Sequence, residues 1–227
     1  MRVLLPAVII ILLVFGPGIW VRRVMSRYSA PADRYSGSGA KLARHLLDMH
    51  GLKDIGVEAT DRGDHYDPDS RTVRLGEQNY NDGSLTAIAV AAHEVGHAIQ
   101  DKHSYGPLRW RTRLVRVIEP GQRFAAVLLM ASPFVSLFTR TPVTGIATFI
   151  SGFLIMGLGA VVHLITLPTE VNASFGHALP ILRKQNVLIE GDEPHARRLL
   201  AAAAATYAAA SLMSLLNIAR WLVLLRR

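Results

Sequence analysis

Cysteine is absent from the chain. Disulfides and thiolate metal sites are therefore excluded, and nothing in the residues argues for an oxidising compartment. Acidic residues are in the minority, Asp+Glu 17 against Lys+Arg 25, and the net charge is +8. Such a balance invites a nucleic-acid partner, but no nucleic-acid-binding motif is present. The basic residues gather instead at the ends of apolar runs, as membrane flanks do, so no nucleic acid is expected. No internal repeat is found, and Ala201–Ala205 is the one low-complexity stretch.

Apolar residues are abundant. They make up 50% of 227 residues, with a mean hydropathy of +0.26, and they are concentrated in long runs. The first run, Val3 to Val21, carries no charge. It lacks an A-x-A cleavage site and is followed directly by Arg22 and Arg23, which favours an uncleaved anchor over a signal peptide. Phe124 to Phe138 and Val143 to Leu167 are parted by a short turn and predict a membrane hairpin. A fourth run begins at Ala201 and passes Leu216.

The expected fold is a mainly α membrane protein with about four transmembrane helices and a small α+β zincin-like cytoplasmic domain. The expected divisions are an anchor over 1–21, a soluble domain over 22–123, a hairpin over 124–167, a segment over 168–198 and a last span over 199–227. Arginines at 22, 23, 27, 109, 111, 113, 116 and 123 would place the soluble domain on the cytoplasmic side of the cell (inner) membrane. Arg226 and Arg227 fall on the other side of that scheme.

Within the soluble part, Leu42, Leu46 and Leu47 form a stripe that predicts a helix from Gly39 to His50, stopped by Gly51. Ile55–Ala59 and Arg71–Leu75 read as strands, the second as a possible edge for an extended peptide, and Tyr66-Asp67-Pro68-Asp69 reads as a turn. Ser84 is a suitable N-cap for a helix from Leu85 to about Lys102.

That helix carries His93-Glu94-Val95-Gly96-His97. Histidines four apart share one helix face, so both imidazoles can reach one Zn²⁺, and Glu94 can act as general base toward water. A catalytic zinc needs a third protein ligand. His103 gives nearly the metzincin spacing, but Gln100 stands where the metzincin turn needs glycine. Glu170, in Leu167-Pro168-Thr169-Glu170-Val171-Asn172-Ala173-Ser174, is the favoured candidate, with Ser174 one turn on as a possible orienting residue and Asn172 beside it. His177 is a candidate oxyanion donor, against the plainer reading of a surface histidine. His163, inside the third run, is a weaker functional candidate.

HEVGHAIQ, the preceding Tyr66-Asp67-Pro68 and LPTEVNAS after an apolar hairpin together resemble the YugP-like neutral zinc metallopeptidases, over nearly the whole chain. This family is similar in plan to the membrane CAAX prenyl endopeptidases and the heat-shock peptidase HtpX. The resemblance implies one catalytic zinc, a later glutamate completing its ligands, and a protein or peptide substrate met at a lipid bilayer. The wider group usually has aspartate at the position of Ser174. The alternative is a zinc-binding membrane scaffold that does not cleave, which the intact Glu94 disfavours.

Overall fold

A computed structural model describes the backbone of residues 4–206, and side chains from Phe15 onward except at a few helical positions, His163 among them. The helices are α1 (Leu4–Arg27), α2 (Gly39–Met49), α3 (Glu77–Asn81), α4 (Leu85–Lys102), α5 (Gly106–Thr139), α6 (Pro142–Val171) and α7 (Leu179–Lys184). A π-helix, Asn172–Ala178, joins α6 to α7, and residues 193–206 form α8. Strands β1 (Gly56–Thr60), β2 (His65–Asp67) and β3 (Thr72–Gly76) complete the described elements.

The chain divides into two compact units. One comprises Pro17–Arg109 and Leu167–Thr206. The other holds, among the described residues, 4–16 and Trp110–Thr166.

In the first unit α4 is the central element. Every residue from Leu85 to Gln100 is buried, as its alanine-rich, nearly all-round apolar sequence requires. Ser84 caps its N-terminus by accepting from the Ala87 N–H. Leu42, Leu46 and Leu47 of α2, Val73 and Leu75 of β3, Leu182 of α7 and Leu199 and Leu200 of α8 belong to the same core. Each such side chain contributes roughly 1.5–3 kcal/mol by leaving water. Helix α2 ends as the sequence predicts, with His50 at the cap and Gly51 at φ +66°.

The sheet has the order β1-β3-β2. β1 runs parallel to β3, and β2 antiparallel to it with Tyr66 opposite Val73. The strand predicted at Arg71–Leu75 is therefore the middle one. Both of its sides are already paired, so it cannot offer a free edge, and among the described residues the open edges belong to β1 and β2. The Tyr66 hydroxyl donates to Asp101 at 2.9 Å, tying β2 to the C-terminal end of α4.

In the second unit α5 and α6 pack closely through glycine. A Cβ on Gly152 would come within 2.9 Å of the Ala125 carbonyl, and one on Gly145 within 2.8 Å of the Ser132 carbonyl. Phe124, Met130, Phe134, Leu137 and Phe138 of α5 and Val143 and Leu154 of α6 are exposed.

The expectation of about four transmembrane helices is not supported. Among the described residues one stretch, Pro142–Gly159, is long and apolar enough to cross a membrane. The reason lies in α5. Arginines occupy its first half, and the apolar remainder, Val127–Thr139, falls short of the ~20 residues a span needs. The expected first run enters α1, where the side chains before Phe15 lie outside the described set. Most of the expected fourth run, from residue 207 on, also lies outside the described residues. Among the described residues, a mainly helical fold with one small sheet is what remains.

Candidate metal centre

The site sits wholly within the first unit, between α4 and the segment where α6 passes into the π-helix. His93 and His97 lie one turn apart on α4, and Glu170 occupies the last turn of α6. All three are buried, Glu170 to 1% exposure. One donor atom from each falls within 4.8 Å of the others.

Two local features allow this approach. Gly96 faces the Ala173 carbonyl, which a Cβ there would meet at 2.7 Å, so α4 and the π-helix can touch only where the side chain is absent. The π-helix bonds each N–H five residues back, as the Leu179 N–H does to the Ser174 carbonyl. Ser174 and Ala173 are thereby held against α4 just beyond Glu170, and Ser174 is fully buried.

The hydrogen bonds fix where the protons are. Ser174 Oγ donates to the Leu200 carbonyl at 2.9 Å. Its remaining partner, His93 Nδ1 at 2.9 Å, must therefore donate to it. Gln100 Nε2 donates to the Thr169 carbonyl at 2.9 Å and to Asn172 Oδ1 at 2.8 Å. Its Oε1, 2.9 Å from His97 Nδ1, is then the acceptor, and that Nδ1 also carries its hydrogen. With each Nδ1 donating, Nε2 is the ring nitrogen that either histidine has left to offer a cation.

Both Nε2 atoms lie 3.2 Å from the same oxygen, Glu170 Oε2. Three potential metal-ligating atoms thus converge in a buried space. A single proton serves one histidine–carboxylate pair at a time, whereas a divalent cation serves all three. The 3.2 Å separations are close to the roughly 3.3–3.4 Å edge of a tetrahedron with zinc–nitrogen bonds of ~2.0–2.1 Å. The donor set, two imidazoles and one carboxylate, fits a catalytic zinc.

A family model described as "Putative neutral zinc metallopeptidase" matches residues 3–226. The chain belongs to that family. Among curated proteins, this family member is 36% identical over 207 residues to the "Putative membrane protease YugP" of Bacillus subtilis (strain 168), covering 90% of this chain and 88% of the relative. No solved structure matches the chain.

The other predicted residues of this zinc-peptidase family member fall at varying distances from the group. Glu94 is buried on α4, next to His93. Asn172 accepts from Gln100. His103 caps α4 and is exposed, so it does not join the group, because the helix continues through Gln100 to Lys102. His177 lies on the π-helix, half-buried. Burial first, then the nearby His103, His50 and His97, lowers its pKa below the ordinary histidine value. Gln100 was legible in the sequence only as the absence of a glycine. Its place three residues after His97, on the same helical face, was the available signal.

Proposed function

We propose that this protein is a zinc-dependent endopeptidase that hydrolyses protein or peptide substrates at a membrane surface. His93, His97 and Glu170 would hold one zinc ion through Nε2, Nε2 and a carboxylate oxygen. The observation that carries this reading is the convergence of two tautomer-fixed Nε2 atoms on one buried carboxylate oxygen. When bound, zinc supplies Lewis acidity toward a carbonyl and activates water near neutral pH.

The chain's own residues do the rest. Glu94 takes the proton of the attacking water and returns it to the leaving amine, a transfer of the kind that contributes ~10²–10⁴-fold. Ser174 and Gln100 keep both imidazoles in the tautomer that leaves Nε2 bare. His177 offers a ring N–H for the developing oxyanion.

Membrane action is supported by the exposed apolar side chains of α5 and α6, the apolar stretch Pro142–Gly159, and the name of the Bacillus relative. The arginines before and within α5 favour a cytoplasmic site in the cell membrane.

The test is metal analysis and cleavage by the detergent-purified full chain, wild type beside Glu94→Gln. Wild type should hold about one zinc and cleave an unfolded membrane protein. Glu94→Gln should keep the zinc and lose cleavage by at least ~10²-fold. Undiminished cleavage in that variant would overturn the mechanism, and zinc-free, inactive wild type would overturn the function.

A further inference from the structure

We infer that Gln100 is a positioning residue that holds two of the three proposed zinc ligands in register, setting the tautomer of His97 and clamping the Glu170 segment to it. The inference rests on the zinc reading above.

A carboxamide has a sense: one end accepts, the other donates. The Thr169 carbonyl is an acceptor under any assignment of protons, so the end that faces it at 2.9 Å must be the NH₂. The oxygen end is then directed at His97 Nδ1. A flipped amide would set its oxygen against the Thr169 carbonyl oxygen, with no solvent to relieve the clash, since Gln100 is 0% exposed. The orientation of one side chain therefore dictates which nitrogen of His97 keeps its hydrogen and which is bare.

The donating end does a second thing. Thr169 and Asn172 stand on either side of Glu170 in the chain, and Gln100 binds both, at 2.9 and 2.8 Å. The backbone carrying Glu170 is thus fixed to α4 through the residue that orients His97. Asn172 can present its oxygen because Gly176 leaves room: a Cβ there would lie 2.6 Å from Asn172 Nδ2. Ser174 serves His93 in a parallel way, but its hydroxyl reaches the Leu200 carbonyl on α8.

The experiment measures zinc affinity by competition with a chromophoric chelator, and the visible spectrum of the Co²⁺-loaded full chain in detergent. Wild type, Gln100→Leu, Asn172→Ala and the double variant are compared. Gln100→Leu keeps volume and helix propensity but removes every amide contact. It should bind zinc about 10–100-fold more weakly and shift the Co²⁺ spectrum, with helix content unchanged. Asn172→Ala should weaken zinc less, and the double variant should be no worse than Gln100→Leu, because both changes break one network.

Wild-type affinity and spectrum in Gln100→Leu would overturn the inference, as would strictly additive losses. If Gln100→Leu does not fold, Asn172→Ala decides, and unchanged affinity there overturns it. In each case wild type binds zinc, so the proposed function would stand. A wild type that binds no zinc would remove that function first.

Discussion

Gly96 of α4 lies directly against the Ala173 carbonyl, so close that a single added carbon would sit 2.7 Å from the oxygen. The obstacle is backbone on a fully packed helix and has no rotamer to yield. Gly96→Ala should therefore push the π-helix away from α4. The expected cost is about 1–3 kcal/mol in unfolding free energy, together with weaker zinc binding. Thermal unfolding with and without zinc checks both, and a variant with wild-type stability and affinity would show that the two elements can part freely.

Glu170→Ala should abolish tight zinc binding, because two histidines remain to hold the ion and the buried anion is gone. His103→Ala should leave zinc content unchanged, since His103 is exposed at the cap of α4. The measurement is metal content after gel filtration. Metal retained by the first variant and lost from the second would transfer the ligand role to His103.

Ser174→Ala deletes the acceptor of the His93 Nδ1 hydrogen and leaves the Leu200 carbonyl without its hydroxyl donor. Zinc affinity should fall about 10–100-fold, while Ser174→Asp, which restores an acceptor, should recover part of it. Chelator competition reads both. Equal affinity in all three proteins would show that the hydroxyl does not orient the ring.

Asp67 gives a pH prediction remote from the metal. Burial would raise its pKa, but bonds from Arg74, Ser70 and the Asp69 and Ser70 N–H groups outweigh this and bring it from 3.8 down to about 2. The folded carboxyl holds its charge more tightly than the unfolded one. Its contribution to stability is therefore fully present above about pH 4 and is lost as pH falls from there toward 2. Asp67→Asn should be less stable than wild type at pH 6, and the two unfolding curves should draw together below pH 4. A gap that stays constant down to pH 3 would contradict it.

Helix α4 could be read from sequence almost residue by residue because its signals are local: a capping serine, an alanine-rich interior and two histidines at helical spacing. Strand β2 was hidden because three residues carry too little alternation, and two of them, Tyr66 and Asp67, read instead as the start of a turn. The central place of β3 was equally hidden, since strand order depends on which segments meet in space. The membrane count failed where hydrophobicity was read by composition: α5 is one continuous helix, but its apolar part is too short. At the site, residue types pointed to the donors. The proton positions depend on carbonyls of Thr169 and Leu200, which as backbone groups leave no trace in the identity of any residue.

The separation of the donors along the chain has a consequence in time. His97 and Glu170 are 73 residues apart, and Ser174 takes its acceptor from Leu200, 26 residues later still. A ribosome makes the chain from its N-terminus, so α4 emerges with its histidines long before the carboxylate that completes the set. A nascent chain that has reached α5 carries two donors and cannot yet hold the ion as the finished protein would. The order of synthesis thus keeps the three donors apart until Glu170 and the segment around it have been made.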